Sequence, residues 1–83
     1  MNEIKTKQEL LTHIENRRAE QYRIATKFFD DYIGADEMCR DVKKVVKMIE
    51  QDKVTSVAFD TLNRYNLIPQ MTYNRFNEIV KGL

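Results

Sequence analysis

The sequence has few of the residues that form sheet turns, disulfides or metal and catalytic sites. Its 83 residues include two glycines, one proline, one cysteine, one histidine and no tryptophan. Sheet proteins need turns every ~8–12 residues, and glycine and proline supply many of them, so this scarcity argues against an all-β fold. One cysteine and one histidine leave no internal disulfide, zinc site or nucleophile–base set. We therefore expect a non-enzymatic protein without metal or cofactor.

Long apolar runs are missing as well. No segment approaches the ~20 apolar residues that a membrane-spanning helix needs. Residues 1–7 lack the apolar stretch of a signal peptide. With 42% hydrophobic and 33% charged residues, the composition is typical of a soluble globular chain. We expect one cytoplasmic domain over residues 1–83, with no membrane partner.

The charges nearly balance, with 14 basic and 13 acidic residues and a net charge of +1. A general polyanion-binding domain is usually more basic. The last third differs from the rest, because residues 53–83 carry four basic and two acidic side chains and four asparagines. This mild local excess of basic and amide groups is suggestive of a nucleic-acid partner.

The spacing of apolar residues predicts four helices and an all-α fold. The first runs from Thr6, a candidate N-cap, to Ile33, and Gly34 is expected to end it. Its middle, residues 15–21, is almost entirely polar. Either the helix breaks there into a pair, or its first half projects as an arm. A projecting arm predicts a homodimer in which three apolar residues meet a second copy: Leu10, Leu11 and Ile14.

Three further helices are predicted over residues 35–83, which we treat as one tri-helical unit. The second spans residues 36–51, the third runs from Thr55 or Ser56 to Tyr65, and the fourth follows Thr72 and closes at Gly82. Cys39 lies on the apolar stripe of the second helix, and we interpret it as a packing residue. The predicted core comprises Val42, Val45, Val46, Ile49, Val57, Leu62, Phe76 and Ile79.

The order of these last helices resembles a tri-helical helix-turn-helix, whose final helix enters the major groove by its N-terminal end. The alternative is an ordinary helical hairpin with a polar face, since the connection over residues 66–71 is longer than the usual turn of about 3–4 residues. Asparagine reads adenine edges and arginine reads guanine edges. The side chains expected to read bases are therefore Asn74, Arg75 and Asn77, with Thr72 near a phosphate. Arg75 is expected on the side away from Phe76 and Ile79. Further phosphate contacts are expected from a basic face near Arg40: Lys43, Lys44, Lys47 and Lys53.

The segment from Ile68 to Phe76, followed by Val80, is similar to the C-terminal part of small DNA-binding proteins from plasmids and mobile elements. The nearest resemblance is to accessory proteins that bind the transfer origin in conjugation. These often read Ile-Pro, a short gap, Ser-Tyr, two residues, Phe, three residues and Val; here Thr72 stands in place of the serine. The similarity covers Val45 to Leu83, and it implies a helix-turn-helix fold and a DNA partner.

Two functions remain open at this point. The first is a dimeric DNA-binding accessory or regulatory protein of a mobile element. The second is an inhibitor or adaptor of phage or plasmid origin that binds a host or phage protein. The near-neutral charge, the long first helix and a cluster of four large apolar residues favour the second: Phe28, Phe29, Tyr32 and Ile33.

Overall fold

The computed structural model describes residues 3–83. These residues form four α-helices: α1 (Lys7–Phe28), α2 (Tyr32–Glu50), α3 (Ser56–Arg64) and α4 (Tyr73–Lys81). Helices contain 73% of the described residues, and no strand occurs among them. The predicted all-α fold is confirmed.

The first helix is continuous through its polar middle. Thr6 caps it, because the Thr6 side chain accepts a hydrogen bond from the Glu9 backbone N–H at 3.1 Å. Along the polar stretch, ion pairs one turn apart join Arg18 to Glu15 and Arg17 to Glu20. Such pairs stabilise a helix surface modestly. At about 33 Å, a 22-residue helix fits within the 41 Å longest dimension of the molecule.

The first half of α1 belongs to the core of its own chain. Leu10 and Ile14 are completely buried, and Leu11 packs against the same cluster half-buried. The expectation that these residues project toward a second copy is therefore wrong. Dimerisation remains a prediction, but these residues no longer require it.

The boundary between α1 and α2 differs from the prediction. The first helix ends at Phe28, Asp30 adopts a left-handed backbone with φ of 52°, and Asp31 caps α2. Gly34 lies in the first turn of α2, where its N–H donates to the Asp31 carboxylate at 2.9 Å. A Cβ at this glycine would collide with that carboxylate. Gly34 thus makes room for an N-cap, and Asp30 supplies the turn expected of glycine, because aspartate tolerates this conformation.

The ends of α2 and α3 share one turn geometry. Asp52 and Asn66 have φ of 58° and 57°. In α3, the Leu67 N–H donates to the Leu62 carbonyl and the Asn66 N–H donates to the Asn63 carbonyl. This pair of bonds is the Schellman motif, and it places Leu67 beside Leu62 in the core. Three turns between helices thus use aspartate or asparagine, at Asp30, Asp52 and Asn66, where glycine is the commoner residue.

The core forms where all four helices meet. From α2, Met38, Val42, Val45 and Ile49 point inward at helical spacing. The predicted core position of Val57 is wrong, since Val57 is 71% exposed and α3 buries Ala58, Thr61 and Leu62 instead. Val46 is half-buried. Ile4, Leu67 and Ile68 enter the core from outside the helices. From α4 come Phe76, Ile79 and Val80.

The left-handed turn at Asn66 generates a prediction about stability. The hydrogen bonds that Asn66 makes use its backbone, and a β-carbon without a polar side chain costs ~1–2 kcal/mol in this conformation. We expect Asn66→Ala to lower the free energy of unfolding by about 1 kcal/mol, measured by urea denaturation. Asn66→Gly should match or exceed the parent. Asn63→Ala, an exposed helical control, should change little; equal stability of the Asn66→Ala and Asn66→Gly variants would contradict the account.

Candidate interaction surfaces

The basic side chains predicted to contact phosphate lie exposed on the second helix. Lys43, Lys44 and Lys47, together with Arg40, occupy the side of α2 opposite its buried stripe. Lys53 is exposed in the turn that follows α2. Within residues 3–83, none of these five side chains takes part in an ion pair. This basic face, defined as Arg40, Lys43, Lys44 and Lys47, is thus free to attract an anionic partner.

The residues predicted to read bases lie at and after the start of α4. Thr72 caps the helix, and its hydroxyl oxygen accepts from the Arg75 N–H at 3.1 Å. Asn74 is exposed and Asn77 is half-buried. The Arg75 guanidinium donates to the carbonyl of Ile4 at 3.3 Å.

Arg75 differs from its predicted orientation. It lies one turn before Ile79 on the same side of α4, and both line a cleft of about 400 Å³ together with Glu3 and Ile4. The expectation that it faces away from Ile79 is therefore wrong. Its guanidinium helps to hold Ile4 against the bundle, where Ile4 is buried.

The two sets of predicted DNA contacts lie on different parts of the chain, one on and just after α2 and the other at the start of α4. The basic face points away from the helices on which α2 packs, whereas α4 packs chiefly on α1 and α3. Residues 65–72 connect α3 to α4, and Leu67 and Ile68 of this connection are buried. A helix-turn-helix commonly uses a turn of about 3–4 residues. The connection here is twice that length.

A third surface lies where α1 ends and α2 begins. Phe28, Phe29, Tyr32 and Ile33 are 64%, 74%, 56% and 82% exposed. We call these four residues the apolar tip. The sequence predicts that the first helix runs through this cluster to Ile33, but Asp30 and Asp31 reverse the chain between its two halves. The described chain leaves all four side chains largely uncovered.

Four carboxylates lie close to the apolar tip in the chain. Asp30, Asp31, Asp36 and Glu37 are all exposed, and none is in an ion pair within residues 3–83. The nearest cation in sequence, Lys27, stands 5.9 Å from the centre of the Phe28 ring. Residues 27–37 therefore carry four acidic groups and one basic group. The side chains next to the apolar tip in the chain are therefore mostly acidic.

Polar side chains also join the helices away from these surfaces. The Tyr65 hydroxyl donates to Asp41 at 2.8 Å, and burial together with this bond raises the pKa of Tyr65. The Arg17 guanidinium donates twice to the Asn66 carbonyl, at 3.2 and 3.3 Å. These bonds tie α3 to α2 and to α1. Because Arg17 bonds both to this carbonyl and to Glu20, we assign it a structural role in joining the helices.

The contacts of Cys39 and the burial of His13 are those of residues that pack within the fold. Cys39 is half-buried, packs against the core and accepts a 3.3 Å hydrogen bond from Arg18. Burial and the nearby Arg17 charge lower the pKa of His13.

Residues 3–83 contain no group of three or more metal-ligating side chains placed to hold an ion. No helix in that range has both the length and the apolar character to cross a bilayer.

Comparison of the chain with protein-family models, with curated proteins and with solved structures finds no match to any of them.

Proposed function

We propose that this chain is a non-catalytic interaction protein, an inhibitor or adaptor, that binds another protein through the apolar tip. The observation that supports the proposal is the exposure of four large apolar side chains within six residues. Isolated apolar residues on a surface are ordinary, but a contiguous patch rimmed by polar groups is typical of an interaction site. Two of the four are phenylalanines and one is a tyrosine, and aromatic residues are enriched at protein interfaces.

The size of the tip suits the centre of an interface. Aromatic side chains present ~150–250 Å² each, so the exposed parts of these four residues amount to roughly 500 Å². A stable interface buries ~800 Å² on each partner. The tip would therefore form the buried centre, with neighbouring polar residues of α1 and α2 completing the rim.

The tip contributes little to the stability of its own chain. Its side chains are mostly in water, so their replacement removes little buried apolar area. Other contacts stabilise the end of α1 and the start of α2. The Asp31 side chain caps α2, and the Asp31 N–H donates to the Ala25 carbonyl at 2.9 Å. Binding and folding can therefore be tested independently.

Site-specific photo-crosslinking tests the proposal. A benzophenone amino acid in place of Phe29 or Ile33 is expected to join the chain to one defined protein in the source cells. The same group at Val57, which is exposed but isolated on α3, provides the matched control and should give no such product. A second substitution, Tyr32→Ser, should reduce the tip product at least several-fold, because it removes part of the same apolar contact.

The thermal transition, followed by circular dichroism, should be unchanged in each variant. Equal crosslinking from the tip and from Val57, or no product from either tip position, would contradict the proposal.

A second candidate function is DNA binding by an accessory or regulatory protein of a mobile element. The specific observation in its favour is the basic face, whose four cations are exposed and outside the ion pairs of the described chain. Lys53 and the exposed Asn74 could extend the contact, and the resemblance of Ile68–Phe76 points to the same partner. Phosphate contacts of this kind give affinity that falls steeply with salt.

Fluorescence anisotropy with a labelled duplex tests this candidate. Replacement of Lys43, Lys44 and Lys47 by glutamine should flatten the slope of log K against log salt by roughly 0.9 for each phosphate that is no longer neutralised. The charge-matched control replaces Lys5, Arg23 and Lys81 by glutamine. It should retain most of the slope of log K against log salt. No binding at ~50 mM salt, where even non-specific contacts are strong, would contradict DNA binding.

A further inference from the structure

We infer that the partner of the apolar tip presents an apolar cleft whose rim carries lysine and arginine side chains. This inference rests on the proposed protein-binding function and specifies the chemistry of the partner. It depends on where the carboxylates stand relative to the exposed aromatic residues.

The acidic groups cannot be separated from the contact. Asp30 and Asp31 lie in the chain between Phe29 and Tyr32, and Asp36 and Glu37 follow one turn after Tyr32 and Ile33. A surface that covers the two aromatic residues must also approach the two aspartates between them. Carboxylates that lose water without a compensating partner are strongly destabilised. The partner therefore needs cationic or N–H donors at its rim.

No ion pair neutralises these carboxylates among residues 3–83, and the basic residues nearest to them in the chain are Lys27 before Asp30 and Arg40, one turn after Asp36 and Glu37. The Asp31 carboxylate accepts from the Gly34 N–H, which satisfies part of its hydrogen-bonding capacity. Asp30, Asp36 and Glu37 have no side-chain hydrogen bond or ion pair among the described residues. Lys27 stands near Phe28, and no other basic residue occurs in residues 27–37. A partner cation thus meets carboxylates that are still available.

The same charges argue against two other occupants of the tip. A symmetric tip-to-tip pair of this chain would bring two sets of four carboxylates together, and like charges at a contact are destabilising. A bilayer surface rich in anionic lipids would repel the tip for the same reason. A protein cleft with a basic rim combines burial of the apolar side chains with charge attraction.

A matched pair of amphipathic helical peptides provides the probe. One peptide carries leucine on one face and lysine on the other, and the second replaces every lysine by glutamate. Titrations of the ¹⁵N-labelled full chain at ~50 mM salt should show the Leu–Lys peptide shifting the amides of residues 28–34. Its affinity should exceed that of the Leu–Glu peptide by about tenfold or more, and the ratio should fall at ~500 mM salt.

Two triple variants separate charge at the tip from total charge. Asp30→Asn, Asp36→Asn and Glu37→Gln together should abolish the preference for lysine, whereas Asp31 is kept because it caps α2. The control neutralises three exposed carboxylates elsewhere, Glu50→Gln, Asp60→Asn and Glu78→Gln, and should retain the preference.

The outcomes are distinguishable from those of the crosslinking experiment. Equal binding of both peptides at the tip would overturn the charge inference and leave the protein-binding proposal standing. Shifts confined to other residues, shifts that need vesicles of anionic lipid, or shifts that depend only on the concentration of the chain would also overturn it. Failure of crosslinking from Phe29 and Ile33 would overturn the protein-binding proposal itself.

Discussion

The burial of Leu10 and Ile14 against the other helices is the contact on which the rest of the molecule depends. Both side chains are completely inaccessible to solvent, and they bring the first half of α1 into the same cluster as α2 and α4. Full burial of such side chains contributes roughly 1.5–3 kcal/mol each. For an 83-residue chain this is a large share of the total, because small single cores supply only a few kcal/mol of net stability.

This contact fixes which apolar residues remain outside. Once the first half of α1 is in the core, the helix continues past Ile14 with half-buried and exposed residues, and it ends at Phe28. The reversal at Asp30 and Asp31 then presents the apolar tip at the end of the α1–α2 pair. The tip is therefore a consequence of where the core closes. The four exposed side chains of the tip are separate from the residues that form the core.

Much of the fold follows from the sequence because local signals and helical spacing agree. Thr6 and Thr72 each cap a helix as their positions predict, and of the two candidates Thr55 and Ser56 it is Thr55 that caps α3. The α2 stripe is buried as its spacing predicts. The turn at Asp30 escaped prediction because aspartate in a left-handed conformation leaves no distinctive pattern, whereas a glycine at 34 strongly suggests a helix end. Val57 was misassigned because two adjacent apolar residues, Val57 and Ala58, leave the register of a short helix undecided.

The interaction surfaces are less accessible to sequence reasoning. The basic face could be predicted, because it is the polar side of a single helix. The orientation of Arg75 could not be predicted, because it depends on where the tertiary structure places Ile4. The carbonyl oxygen of Ile4 lies 3.3 Å from the Arg75 guanidinium. The exposure of the apolar tip depends on the packing of α1 and on the reversal at Asp30 together. Its four residues were visible in the sequence, but their environment is a property of the tertiary structure.

Native-state hydrogen exchange of the full chain, measured amide by amide, tests whether Leu10 and Ile14 are buried within a single chain. Amides from Ile14 to Ala19 and from Val42 to Ile49 are expected to exchange only through global unfolding, at a rate independent of protein concentration. Amides from Lys27 to Ile33 should exchange through local opening, since helix ends beside an uncovered surface open at lower free energy. Protection of the first half of α1 that appears only at high protein concentration would show that a second copy covers Leu10 and Ile14. That result would contradict the account.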